Sequence, residues 1–277
     1  MVNTTQIKPS LLLQPYIHCY ALREFNTGNI AMPMPLHAMN ECYMTFFLKD
    51  QNVIVRDESG KIYNMSSALC ALFTTSQGCA YYKGDFVLLS VQFKSNGFFA
   101  IFGIPQSTVL NSILPIGDII GPDAAVITEQ LESCDDIVTM ATFMNVYFTR
   151  KLFSQKHKHY TGVIASTSDH IFKNRGLVTV DSLAYSANMS VRNFERRFID
   201  QVGMSPKLYA RITRFFLALE NKMMHPEKSW TNICHENGYF DQSHFIKECK
   251  EFSASAPEQL FQFTPPPTEN FIEKVEF

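Results

Sequence analysis

One Trp stands against 24 Phe, and charged residues make up only 18% of the 277-residue chain. Lys and Arg total 24 and Asp and Glu 26, for a net charge of −2. The lack of a cationic excess excludes a histone-like polycation, and no partner can be read from bulk charge. A basic patch hidden inside a neutral total stays open. No window of about 18 uninterrupted apolar residues occurs, which excludes a hydrophobic membrane-spanning helix. Residues 1–13 lack a basic run followed by an apolar stretch, so no secretory signal is expected. The seven Cys (Cys19, Cys42, Cys70, Cys79, Cys134, Cys234 and Cys249) are odd in number and scattered. Reduced thiols in a cytoplasmic protein are the expectation.

Motifs for catalysis are missing as well. There is no Gly-rich phosphate loop, no Ser nucleophile elbow and no Cys-x-x-Cys pair, so no enzyme and no cofactor are expected. A metal-dependent barrel would need converging His and Glu residues. The N-terminal half offers His18, His37 and Glu41, far apart, with no further His before His157, and no metal is expected there. Cys234, His235, His244 and Cys249 match no zinc-finger spacing.

What is present is a 46% hydrophobic chain long enough for about two domains. Tyr16 to Phe25, Glu41 to Leu48, Asn52 to Arg56 and Phe86 to Phe93 read as strands, separated by turn signals such as Asn26-Thr27-Gly28 and Glu58-Ser59-Gly60. A β-rich unit, either a cupin-like barrel or a sandwich, fits this spacing. A short helix is expected over Asn96 to Gly103. Val126, Ile127 and Leu131, then Ile137, Met140, Ala141, Met144, Tyr147 and Phe148, follow helical spacing. They predict two helices broken near Cys134-Asp135. Ser154 to His159 reads as a polar hinge that includes His157 and His159. Helix continues from Thr161 to about Phe261, and Pro265-Pro266-Pro267 marks a tail. The predicted class is α+β: residues 1–153 β-rich with following helices, 154–162 a linker, 163–263 all-α and 264–277 a tail.

The all-α part carries the informative pattern. Thr179 suits an N-cap, Leu183 and Ala184 face inward, and Asn188 tolerates a left-handed turn. Ser190 caps a second helix with Phe194 and Phe198 on its buried side, and Gly203 ends it. This is a helix-turn-helix. The second helix exposes Arg192, Asn193, Glu195, Arg196 and Arg197. In such a motif the first residues of that helix reach base edges while others bond phosphates. Arg192 and Arg196 share one face and suit bidentate guanine contacts, although three arginines also suit a merely solvated face.

The pattern then recurs. Ser229 to Tyr239 is again a capped short helix ending at Gly238, followed by a helix from Phe240 to Lys250. Between the two, Pro206 opens a helix running to about Met224, roughly 28 Å of rod, against about 34 Å for one turn of DNA.

From about Ile164 to Phe261 the chain resembles the DNA-binding domain of the AraC/XylS family of bacterial transcription regulators. Gly238-Tyr239-Phe240-Asp241-Gln242-Ser243-His244-Phe245, the Ser205-Pro206 junction and Ala256-Pro257-Glu258-Gln259-Leu260 carry that resemblance. Cys249, Cys234 and Ala254-Ser255 depart from the family pattern, which predicts looser packing of the second unit. The resemblance implies that Arg192 and Arg196 read bases and that Ser190 and Asn193 hold the backbone, with Arg197 beside them. It implies further that Ser243 and Lys247 read the second groove segment while Gln242 and His244 touch backbone, a packing or capping role for His244 being the competing reading. The implied partners are promoter DNA and RNA polymerase.

The resemblance also implies an N-terminal sensing domain with a small-molecule effector, and helices that pair into a homodimer. Tyr16, His18, Tyr20, Tyr43 and Phe47 are the expected pocket residues, with core packing as the competing fate. An activator role is the expectation, and no membrane is involved. The alternative is a metal-dependent β-barrel enzyme or ligand-binding protein whose helix-turn-helix is a vestigial protein-interaction domain. By segment, residues 176–215 hold six basic residues against three acidic ones, while 228–258 hold three against five. The first motif therefore supplies most of the phosphate attraction, and so weakly charged a reader gains from a paired copy.

Overall fold

Short runs of β-branched and aromatic residues pair antiparallel throughout the first half of the chain. The computed structural model describes residues 3–49, 53–155 and 161–261. The strands are β1 (Asn3–Ile7), β2 (Ile17–Asn26), β3 (Met32–Pro35), β4 (Cys42–Lys49), β5 (Val53–Arg56), β6 (Ile62–Met65), β7 (Ala68–Cys70), β8 (Cys79–Tyr82), β9 (Asp85–Phe93) and β10 (Ile113–Pro115). They form a six-stranded sheet ordered β1-β2-β9-β4-β7-β10 and a four-stranded sheet ordered β3-β8-β5-β6. The four runs expected as strands are β2, β4, β5 and β9, displaced by a residue or two. The unexpected ones are short or lie at sheet edges. Met32-Pro33-Met34-Pro35 is an edge strand, where Pro costs no ladder bond.

Alternation along β2, β4 and β9 splits the apolar residues between two cores. Phe25, Phe47, Val55, Tyr82 and Phe86 fill the space between the sheets. Tyr20, Met44, Phe46, Leu89, Val91 and Phe93 face the helices on the outer side of the six-stranded sheet. Those helices are α1 (Gly97–Phe102), α2 (Ile116–Ile120), α3 (Asp123–Glu132) and α4 (Ile137–Ser154), with a single 3-10 turn at Gln106–Thr108. Asp136 accepts from Thr139 N at 2.8 Å and so caps α4 at the expected break. Val126 belongs to the expected helical stripe but stands on the solvent side of α3.

The remaining helices are α5 (Thr161–Lys173), α6 (Val180–Ser186), α7 (Val191–Val202), α8 (Pro206–Met224), α9 (Trp230–Glu236), α10 (Gln242–Ser253) and α11 (Pro257–Leu260). Phe194, Phe198, Tyr209, Phe215, Phe245 and Phe252 are buried among them. Most of the expected hinge, with His157 and His159, lies outside the described residues, as does the expected tail. No helix among the described residues is long and apolar enough to cross a membrane.

The β-rich and helical parts also touch directly, away from the hinge. Gln106 Nε2 donates to the Gln201 carbonyl at 2.8 Å, and Asn96 Nδ2 donates to Gln201 Oε1 at 3.0 Å. Asn40 Nδ2 donates to Thr213 Oγ1 at 3.2 Å, and the His37 and Phe215 rings meet edge-on at 5.9 Å.

Candidate nucleic-acid interface

Local capping defines the second helix of each unit, α7 and α10. Thr179 accepts from Ser182 N at 3.2 Å to start α6, and Ser190 accepts from Asn193 N at 3.4 Å to start α7. The turn between them needs a left-handed residue, and Asn188 supplies it with φ 52°. Gly203 ends α7 with φ 87°, beside Gln106 of the β-rich part. The second unit repeats the plan. Ser229 caps α9, Gly238 makes the turn at φ 73°, and Asp241 accepts from His244 N at 2.7 Å to start α10.

Phe194 and Phe198 bury one side of α7 and leave the other open. Arg192 and Arg196 are exposed, Asn193, Glu195 and Arg197 half-buried. Arg196 Nη2 donates to Asn193 Oδ1 at 3.1 Å, so these two side chains lie together on the open face. On α10, Phe245, Cys249 and Phe252 are buried, while Gln242, Ser243 and Lys247 are exposed. Gln242 Oε1 accepts from Thr231 Oγ1 at 3.3 Å, tying the first turn of α10 to α9. Among the described residues, Arg192, Ser243 and Lys247 make no side-chain hydrogen bond or ion pair.

His244 turns the other way. Its ring stands edge-on to Tyr239 at 5.2 Å, and its Nε2 is 3.5 Å from Glu248 Oε1. Glu248 is buried and is the centre of a charged cluster. Its Oε1 accepts from Arg211 Nε at 2.8 Å and from Arg214 Nη2 at 3.0 Å, and Arg211 Nη2 reaches Glu251 at 2.6 Å. Arg214 lies over the Tyr239 ring at 4.7 Å, and burial pushes that phenol well above its usual range. The cluster clamps α10 to α8. Sequence reasoning missed it because its members lie 34 to 40 positions apart. It also placed Phe240 at the start of the second helix, whereas α10 begins at Gln242 and Phe240 stands 88% exposed in the turn before Asp241.

Cys234 and Cys249 are buried, and desolvation raises their thiols to about 11 and about 12. Both sit among the apolar packing of the second unit. Cys249 stands where the sequence resemblance leads one to expect an aromatic, and its Sγ lies 3.7 Å from Ser253 Oγ. Trp230 stacked on Phe245 at 5.2 Å and edge-on to Phe261 at 5.3 Å fills this side of the unit.

The five residues expected to line an effector pocket do not converge. Tyr20 points out of the six-stranded sheet toward α4, where its hydroxyl donates to Asn145 Oδ1 at 3.0 Å and its ring stacks on Phe148. Tyr43 and Phe47 point into the space between the sheets. Tyr16 and His18 are half-buried, and Tyr16 packs with the helix-side core. Tyr16 and Tyr20 thus belong to the helix side of the six-stranded sheet and Tyr43 and Phe47 to its other face, so the set cannot line one cavity. Between the sheets the polar groups are linked instead. Cys19 donates to Gln92 Oε1, Gln92 Nε2 to the Tyr43 hydroxyl and Tyr43 to Glu41, while Arg23 donates to Ser90 Oγ.

Residues 183–262 match a family model described as a helix-turn-helix domain. No curated protein matches the chain in sequence. Among solved structures, the chain is similar to ToxT from Vibrio cholerae O395, at 12% identity over 88% of this chain and 98% of that one, with a TM-score of 0.48. It is similar to unsaturated-fatty-acid-bound ToxT from Vibrio cholerae strain SCE256, at 12% identity over 95% of each chain and a TM-score of 0.43. The AraC-like transcriptional activator CuxR is similar at 11% identity over 78% of this chain and 86% of that one, with a TM-score of 0.28. At these scores the structural likenesses carry no functional statement, and the weight rests on the matched domain and on the two capped units. The chain carries a helix-turn-helix domain at residues 183–262, within the stretch where its sequence resembles the AraC/XylS regulators.

Proposed function

We propose that the chain reads a promoter duplex through two successive major-groove segments, with α7 in one and α10 in the other. One observation carries this reading: both helices are capped at their first turn and open on the face opposite their buried Phe residues, and a single 19-residue helix, α8, joins the two units. Arg192 and Arg196 read bases in the first segment, and Ser243 and Lys247 in the second. Ser190, Asn193, Arg197 and Gln242 hold the sugar-phosphate backbone. His244 stays in the set only as a residue beside the backbone, since its ring is turned toward Glu248.

In this reading residues 1–153 sense and dimerise, 154–162 link, 163–263 read DNA and 264–277 trail. The protein works in the cytoplasm on DNA together with RNA polymerase. A small-molecule effector is part of this reading, and the buried polar chain Cys19–Gln92–Tyr43–Glu41, with Arg23 and Ser90 beside it, is the group of polar side chains it would meet. The test is a mobility-shift assay on the promoter region beside its own gene. The wild type should bind, and Arg196→Ala with Lys247→Ala should not. Unchanged binding by the double variant sinks the site assignment.

A further inference from the structure

A cleft of about 430 Å³ opens between the two helix-turn-helix units, lined by Thr179, Lys207, Arg211, Arg214, His244 and Glu248 among others. Its floor is set by close backbone packing. Gly176, with φ 72°, brings the α5–α6 loop so near to α8 that a Cβ there would lie 2.1 Å from the Ala210 carbonyl oxygen. Arg214 also borders an adjoining depression with His170 and Asn174. None of these positions belongs to the reading faces described above, apart from His244.

Charge and position both point to one occupant. Three basic side chains, Lys207, Arg211 and Arg214, line the cleft against one carboxylate, Glu248, whose Oε1 is already shared by Arg211 and Arg214. Arg211 is further engaged by Glu251. Lys207 is exposed and has no ion-pair partner among the described residues, and the Nε of Arg214 is buried without a hydrogen-bond partner. One wall of the cleft is the His244–Glu248 row of α10, immediately beside the Ser243–Lys247 row that faces the groove. The opposite wall is the start of α6, the first helix of the first unit, and in a helix-turn-helix that helix crosses the DNA backbone.

We propose that this cleft seats a phosphodiester group of the DNA strand running between the two major-groove segments. Lys207 supplies the mobile charge and Arg214 the held one. Glu248 keeps the guanidinium groups in place and, through the same bonds, keeps α10 at a fixed rotation against α8. The inference rests on the two-segment reading above. It adds a backbone contact midway between the units, which fixes their joint register without reading sequence.

The experiment uses the full chain and a duplex that the wild type selects from a randomised pool. Lys207→Ala should make the slope of log affinity against log salt shallower by about 0.9. It should weaken binding to the selected duplex and to a scrambled one by the same factor. Ethylation interference at phosphates between the two protected segments should be present for the wild type, absent for Lys207→Ala and restored in Lys207→Arg. Lys207 is on the surface, so its variants test the contact without the unfolding risk of Arg214 or Glu248 variants. An unchanged slope and an unchanged interference pattern overturn the proposal and leave the two-segment reading standing. A wild type that selects no duplex overturns both. Inorganic phosphate alone that raises the melting temperature of the wild type but not of Lys207→Ala, with an unchanged DNA slope, makes the cleft a free-anion site and also overturns the proposal.

Discussion

The backbone N–H of Ala38 donates to the carbonyl oxygen of Phe252 at 2.7 Å, so the loop before β4 closes the last turn of α10. The final carbonyls of a helix have no partner within it, and here the partner comes from the β-rich part. Together with the Gln106 and Asn96 bonds to Gln201, this places the β-rich part against the C-terminal ends of both recognition helices. Their N-terminal turns, which carry the residues proposed to read DNA, stay clear.

The docking is polar, and the side-chain oxygens Asn40 Oδ1 and Gln106 Oε1 are buried in it without a hydrogen-bond partner. Burying such an atom costs about 1–3 kcal/mol, so the interface is weaker than its hydrogen bonds suggest. Asn40→Ala combined with Gln106→Ala is expected to split the heat-unfolding profile into two transitions, one for each part. Calorimetry of the full chain checks this, and a single unshifted transition contradicts it.

Base reading gives the sharpest expectation. Arg192→Ala and Arg196→Ala should each cost about 1–3 kcal/mol on the preferred duplex and relax preference at the base pair each contacts. Affinity for scrambled DNA should fall much less. Competition binding across single-base variants of the duplex measures both quantities.

Ala254 ends α10 in the left-handed region, with φ 57°. Its Cβ is strained there, whereas Gly is not. Ala254→Gly should stabilise the chain by up to about 1 kcal/mol, raising the midpoint of thermal unfolding by a few degrees. A lower midpoint contradicts the assignment of strain.

Desolvation raises the carboxyl of Glu41 from 4.5 to about 7, outweighing the favourable bonds from Tyr43 and Gln92. An acid with a raised folded pKa holds its proton in the folded state after the unfolded chain has lost it. Its stability contribution is therefore complete below about pH 4.5 and is lost as pH rises to about 7. Denaturant midpoints measured at pH 5 and pH 8 should fall more for the wild type than for Glu41→Gln. Equal changes in the two proteins contradict the shift.

A line of apolar side chains runs along the solvent side of α4, with Val138, Val146 and Phe153 exposed and Val126 of α3 also exposed. If this face pairs two copies of the chain, Val146→Glu should halve the mass measured by light scattering at concentrations where the wild type is dimeric. A wild type that is monomeric throughout removes the dimer from the reading.

The helix-turn-helix units are written in the sequence because their determinants are local. Ser190 bonds three residues ahead, Asn188 and Gly203 meet the demand for left-handed backbone, and Pro206 starts α8 within its own turn. Each is worth about a kilocalorie and needs no distant partner. Strands β2, β4, β5 and β9 were equally readable as β-branched and aromatic runs. What those strands face was not, since one step in register sends a side chain to the other core, and Tyr20 and Tyr43 went to opposite sides. Tertiary structure alone decided the short edge strands, the clamp of Arg211 and Arg214 on Glu248, and the docking of Gln106 on Gln201. The clamp and the docking join residues from 34 to 95 positions apart. Such contacts repay chain-closure entropy only once the intervening elements have folded, so no local pattern announces them.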